Sequence, residues 1–179
     1  HGLHDMRLAA SRADRKSAAD QLAHRGQVRR DAQFALRAVF PAENGLGATT
    51  PVPVLFVVLP LLFDEETATI IASTKKGSGL RFFAAKFAES KHSKMDVLLS
   101  LERRARALRP QTLEALGHAA KARLLFLDKS SGEIAALSEA PALSLPDAVR
   151  PLVRSAEKLG AWSGPLSLFE LSTTLQVEF

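Results

Sequence analysis

The sequence predicts an α+β fold that is mostly α, a helical domain with a winged-helix-like unit made of a helix and a hairpin. Apolar residues recur at helical spacing in most segments after residue 26. Two β-type runs between Leu124 and Leu137 are joined by DKSSGE, where Gly132 suits a turn at positive φ. This hairpin directly follows a predicted helix, which is the order found in a winged-helix unit.

We assign residues 26–179 to this single domain, with its hairpin near residues 124–137. Residues 1–25 have widely spaced apolar positions and little apolar surface to dock. We expect them to form an N-terminal arm that is mobile or is ordered by a partner.

The first half of the domain contains a predicted helix, a loop and an ambiguous apolar run. Helical spacing predicts a helix from Gln27 to Phe40. A loop is expected from Pro41 to Pro53, because the glycines and prolines there break any regular element. The apolar run from Val54 to Phe63 fits a buried strand by its β-branched content or a buried helix by its length, and we favour the helix.

The middle of the chain is predicted to contain successive helices. Asp64 resembles an N-cap, so residues 65–73 are predicted to be a short helix, followed by a turn over residues 74–79. Residues 80–88 and 95–108 place their apolar residues on one helical face each. Pro110 suits the first position of another helix, QTLEALGHAAKARLL, because a proline is tolerated where no N–H is needed.

The C-terminal third is predicted to contain two further helices. Residues 147–162 are helical, with Pro151 near the start of the helix, and Gly164 and Pro165 end it. The spacing of Ser167 and Glu170 is typical of a capping box that opens a last helix. The closing VEF is expected to be a short strand.

The composition excludes several classes of protein. The chain has no cysteine, which removes disulfide frameworks, cysteine zinc sites and cysteine nucleophiles. Its longest apolar run is about half of what a bilayer span of roughly 20 residues needs. The N-terminal sequence also lacks the apolar stretch of a secretory signal. We therefore expect a cytoplasmic protein with no membrane partner.

Known catalytic and nucleotide-binding motifs are missing from the sequence, so we expect a protein that is not an enzyme and has no cofactor, metal or small-molecule substrate. His118 follows Glu114 by four residues, the spacing of a same-face pair on a helix. A hydrolase that uses this pair is a third hypothesis, and we favour an exposed or capped histidine over it.

Positive charge is concentrated in the middle of the chain, where residues 75–129 hold 13 Lys/Arg against 5 Asp/Glu. Such a stretch can contact DNA phosphates or an acidic partner, or it can simply solvate helix faces. If the two helices that flank Pro110 are antiparallel, six basic residues lie close together. These candidate contact residues are Arg103, Arg104, Arg106, Arg109, Lys121 and Arg123.

Three blocks of sequence carry a resemblance to a known family. They are the apolar run centred on Leu59 and Pro60, the block RALRPQTLEAL, and the block EKLGAW from Glu157 to Trp162. From about Asp31 to Phe179 the sequence resembles the middle components of ABC-three-component systems, of which Lamassu is the best-known relative. The resemblance implies a small accessory subunit of a bacterial anti-phage or anti-plasmid complex, encoded with an SMC-like ABC ATPase and a separate effector, often a nuclease. It implies no catalytic residues.

Our leading hypothesis is a non-catalytic adaptor that links the SMC-like ATPase to the effector and touches DNA only indirectly or weakly. Trp162 and Phe169 are candidate partner contacts, with core packing as the alternative that we favour for Trp162. The alternative function is a winged-helix DNA-binding protein that contacts phosphates through the basic residues named above.

Overall fold

The computed structural model describes residues 26–28, 31–40, 49–89, 94–137, 145 and 147–179, with only the backbone described for residues 87–89 and 94–99. The predicted arm, residues 1–25, therefore lies outside the described residues. The fold is α+β and mostly α, as predicted. Its helices, besides helical residues 26–28, are α1 (31–38), α2 (Val52–Leu62), α3 (Glu65–Ser73), α4 (Gly79–Glu89), α5 (Lys94–Lys121), α6 (Arg150–Ser163) and α7 (Leu168–Leu175).

A small antiparallel sheet contains the predicted hairpin. Strands β2 (Leu125–Asp128) and β3 (Glu133–Ala136) are joined by a turn in which Gly132 has a φ of 70°. This conformation costs glycine little, since it has no Cβ. The hairpin prediction is confirmed. It follows α5 directly, as the winged-helix interpretation requires, and that interpretation stays a prediction.

The third strand, β1 (Thr49–Pro51), was not predicted, and the sheet order is β1-β3-β2. We expected a loop here, which is wrong for these residues. Val52 N–H donates to the Gly132 carbonyl at 3.0 Å. Since antiparallel residues face their partner strand alternately, the nitrogen of Pro51 faces away from β3. The missing N–H therefore breaks no ladder hydrogen bond.

Helix α2 is the central element of the core. The apolar run from Val54 to Phe63 is helical, which confirms the preferred interpretation over a strand. Leu55 and Leu59 are fully buried, and α2 packs mainly on α5. A helix that is apolar all round must be buried on all sides.

Helix α5 is one continuous helix of 28 residues, and Pro110 lies inside it. Our prediction of two helices separated at Pro110 is wrong. Leu101 before the proline and Ala115 after it are both buried in the same core cluster. Packing on both sides thus holds the helix together where the proline removes one backbone hydrogen bond.

The remaining helices form near their predicted positions, with α1 ending at residue 38 instead of Phe40 and α6 starting at Arg150 instead of residue 147. Asp64 caps α3 by accepting a hydrogen bond from Thr67 N–H at 3.0 Å, and Ser167 with Glu170 forms the capping box of α7. The predicted strand at VEF is wrong, because residues 177–179 have no regular structure after Gln176 adopts a left-handed conformation. Within the part of the chain that the structure describes, no helix is long and apolar enough to cross a bilayer.

Candidate interaction surface

The EKLGAW block is part of the internal framework of the fold. Trp162 is 4% exposed, its ring centroid lies 5.4 Å from that of Phe83, and its Nε1 donates to the Lys76 carbonyl at 2.6 Å. Lys158 Nζ donates to the carbonyls of Ile71 and Ala72 at 3.1 and 2.7 Å, at the end of α3. These positions favour packing over partner contact for Trp162.

Gly160 lets α6 approach the turn that follows α1 closely. A Cβ placed on Gly160 would lie 1.8 Å from the Val39 carbonyl oxygen, which is backbone and cannot rotate away. The block therefore fixes α1, α3 and the 3-10 turn at Lys76–Ser78 relative to α6.

Arg104 is a structural residue rather than a free cation. Its Nη1 lies 2.6 Å from an Asp64 carboxylate oxygen and 3.4 Å from the Pro60 carbonyl. Partial burial raises the pKa of Asp64, but the hydrogen bond from Thr67 and the charge of Arg104 outweigh it, so the pKa lies below its ordinary value. Through these two contacts Arg104 links α5 to the turn between α2 and α3.

The six predicted basic residues do not form one cluster, because α5 is continuous. Arg103 and Lys121 are exposed and separated by 18 helical residues, which is about 27 Å at 1.5 Å per residue. Arg106 forms an ion pair with Glu102, and the Arg109 guanidinium lies 5.5 Å from the Phe56 ring centroid. Arg123, exposed after the end of α5, has a positive φ of 55°.

The pair His118 and Glu114 lies on the exposed side of α5. Among the described residues, no group of three or more His, Cys, Asp or Glu side chains could hold a metal ion. A cleft of about 860 Å³ lies between the end of α1, β1 and the α6–α7 connection, and Lys76 is its one charged lining residue. The described part of the chain offers no catalytic constellation at either place.

Two exposed phenylalanines lie on neighbouring helices and define what we call the α4–α7 surface. Phe82 on α4 is 50% exposed and Phe169 on α7 is 79% exposed. The helices are joined beside them by the ion pair of Arg81 and Glu170, whose N···O distance is 3.6 Å. Lys86 Nζ lies 5.4 Å from the ring centroid of Phe82. Exposed aromatic side chains flanked by charged residues are typical of protein contact surfaces.

The carboxylate of this surface is already engaged inside the fold. Glu170 accepts hydrogen bonds from the backbone N–H and hydroxyl of Ser167 at 2.9 and 3.0 Å. These bonds lower the pKa of Glu170, and the charge of Arg81 lowers it further. The group therefore stays ionised and oriented at the start of α7.

Sequence reasoning singled out Phe169 but missed Phe82. The missed signal is the pair Phe82–Phe83 within a helix: neighbours are separated by 100° around the axis, so a narrow apolar face can bury only one of them. Phe83 is buried and Phe82 is left outside.

Comparison with known protein families identifies a match over most of the chain. The model of the family described as ABC-three component (ABC-3C) system Middle Component 3 matches residues 37–179. No curated protein and no solved structure matches the chain significantly. The α4–α7 surface lies entirely within the matched residues.

Proposed function

The chain belongs to the Middle Component 3 family of ABC-three component systems, and on this premise we propose that it is a non-catalytic adaptor that links an SMC-like ABC ATPase to an effector nuclease. A middle component has partner components by the definition of its system. The proposed complex acts in bacterial anti-phage or anti-plasmid defence, and the adaptor restrains the effector until foreign DNA is sensed.

The observation that supports this proposal is the exposure of Phe169. A phenylalanine that is 79% exposed leaves most of its apolar area in water. Its helix is held by the capping box and by the ion pair to α4, so the side chain is presented from a fixed element. Aromatic anchors on rigid elements are the residues that most often dominate binding energy.

Phe169→Ala tests the contact. The chain is co-expressed with the proteins encoded beside it, and the affinity of the purified components is measured by calorimetry. We expect the variant to bind more weakly by about 2 kcal/mol, roughly 30-fold. Its own stability should change by less than about 0.5 kcal/mol, because the side chain is exposed.

Phe126→Ala on the hairpin is the matched control, since Phe126 is 54% exposed and loses the same atoms. It should bind like the wild type. If Phe126→Ala loses binding and Phe169→Ala does not, the partner contact lies on the hairpin. If the wild-type chain forms no complex with either neighbour, the adaptor proposal fails.

DNA binding is a second candidate function, favoured by the exposed cations along α5 and just after it. Arg103, Lys121 and Arg123 are all exposed, and the hairpin follows directly as a wing would. Binding through phosphates must weaken steeply with salt, because counterions are released. An affinity for duplex DNA that is flat between low and high salt, or unchanged in Arg103→Glu with Lys121→Glu, would exclude this function.

A further inference from the structure

From the charges of the α4–α7 surface we infer that it binds an acidic, apolar-anchored segment of a partner component, an inference that rests on the proposed function. The segment from Lys75 to Lys86 carries four cations and no carboxylate in its sequence, KKGSGLRFFAAK. Lys75 is exposed just before the 3-10 turn that leads into α4. The side of the surface formed by α4 is therefore basic.

The α7 side has a different character. Phe169 and Thr173 are the exposed side chains of α7, and neither is charged. Among the side chains described on α4 and α7, Glu170 is the one carboxylate, and it is already bound by Ser167 and Arg81. The surface thus combines two aromatic anchors with positive charge along one side.

An acidic amphipathic segment matches this pattern. Its apolar residues would cover Phe82 and Phe169, its carboxylates would face Lys75 and Lys86, and its uncharged polar residues would meet α7. Opposite charge across an interface both speeds association and rejects partners of the wrong sign. A second copy of the chain would bring cations against cations, so a partner component fits better.

Single-stranded nucleic acid is the rival class of ligand, because it needs aromatic faces for base stacking and cations for phosphates. One face of Phe82 is occupied by the Lys86 ammonium. Helix α7 carries neither lysine nor arginine, and Arg81, the cation beside it, is already paired with Glu170. Both features favour the acidic protein segment.

The test is a charge reversal on the α4 side, Lys75→Glu with Lys86→Glu, which leaves the Arg81–Glu170 ion pair intact. The matched control is Lys129→Glu with Arg154→Glu, which makes the same change of charge at exposed positions elsewhere. Affinity for the co-encoded components is measured for both variants and the wild type at low and high salt. A thermal melt checks that each variant is folded.

We expect the α4 variant to bind its partner about tenfold more weakly or worse. The attraction between these two lysines and the carboxylates of the partner is replaced by repulsion. The control should stay within about twofold of the wild type, and the wild-type affinity should fall with salt. Equal affinity of the α4 variant and the wild type would overturn the inference, as would an affinity independent of salt.

The two proposals fail in different ways. If the charge reversal leaves the complex unchanged while Phe169→Ala weakens it, the proposed function stands and the acidic partner segment is excluded. If the wild-type chain binds a labelled oligo-dT strand and Lys75→Glu with Lys86→Glu abolishes that binding while the complex is unaffected, the surface is a nucleic-acid site and the inference is wrong.

Discussion

Gly160→Ala tests whether the close contact between α6 and the backbone of Val39, just after α1, determines the stability of the fold. The added Cβ would lie 1.8 Å from the Val39 carbonyl oxygen, 2.5 Å from its carbonyl carbon and 2.9 Å from its Cα. Non-bonded heavy atoms settle near 3.5 Å, so α6 and the Val39 backbone must separate by more than about 1.5 Å. Overpacking of this kind costs about 3 kcal/mol, while the alanine recovers about 1 kcal/mol of helix propensity. The expected net loss is about 2 kcal/mol.

Gly117→Ala is the matched control, because Gly117 is also inside a helix but a Cβ there meets nothing within 4 Å. This variant should gain about 0.5–1 kcal/mol. Guanidinium unfolding followed by far-ultraviolet circular dichroism measures both free energies, with unchanged m-values as the check that the unfolding transition is comparable. If Gly160→Ala proves as stable as Gly117→Ala, the close approach to Val39 is not a constraint and the reasoning is refuted.

Three further predictions concern single interactions. Asp64 has a lowered pKa in the folded state, so its contribution to stability is complete above its unfolded value of about 3.9 and is lost as the pH falls through the folded value. Asp64→Asn, which breaks the ion pair to Arg104, should be less stable than the wild type at pH 7, and titration to acid should narrow that difference; a constant difference contradicts this. Trp162→Phe should lose about 1–2 kcal/mol with its hydrogen bond to the Lys76 carbonyl, measured by urea unfolding. Gln176→Gly should raise stability by up to about 1 kcal/mol in a thermal melt, because Gln176 holds a φ of 52° that glycine adopts without strain; an unchanged melting temperature would be the contrary result.

Features that depend on near neighbours in the sequence could be predicted. The start of α3 follows from the Asp64 cap, the start of α7 from the capping box, and the hairpin turn from Gly132. Strand β1 could not be predicted, because three residues with a proline are a strand only by pairing with β3. The continuity of α5 past Pro110 likewise depends on packing against distant elements, which a local rule for proline does not contain.

The candidate site likewise has features that could be predicted from near neighbours in the sequence and features that could not. Helical phase could have identified the structural arginine of α5. Arg104 lies three residues after the buried Leu101 and so on the same side of the helix. The pairing of Arg104 with Asp64 could not be predicted, because the turn between α2 and α3 brings the two residues together. The exposure of Phe169 depends on how α7 packs, which the capping box alone does not determine.

The blocks that carry the family resemblance encode the scaffold, and this decides how variants should be interpreted. Lys158, Gly160 and Trp162 each contact backbone atoms of other elements, so they fix the main chain of α1, α3 and the turn before α4. The exposed rings of Phe82 and Phe169 then stand on helices whose positions are already set, and a partner that covers them need not order them first. Substitutions in the EKLGAW block should therefore reduce binding only as far as they unfold the chain. Phe169→Ala should reduce binding in a chain that is as stable as the wild type.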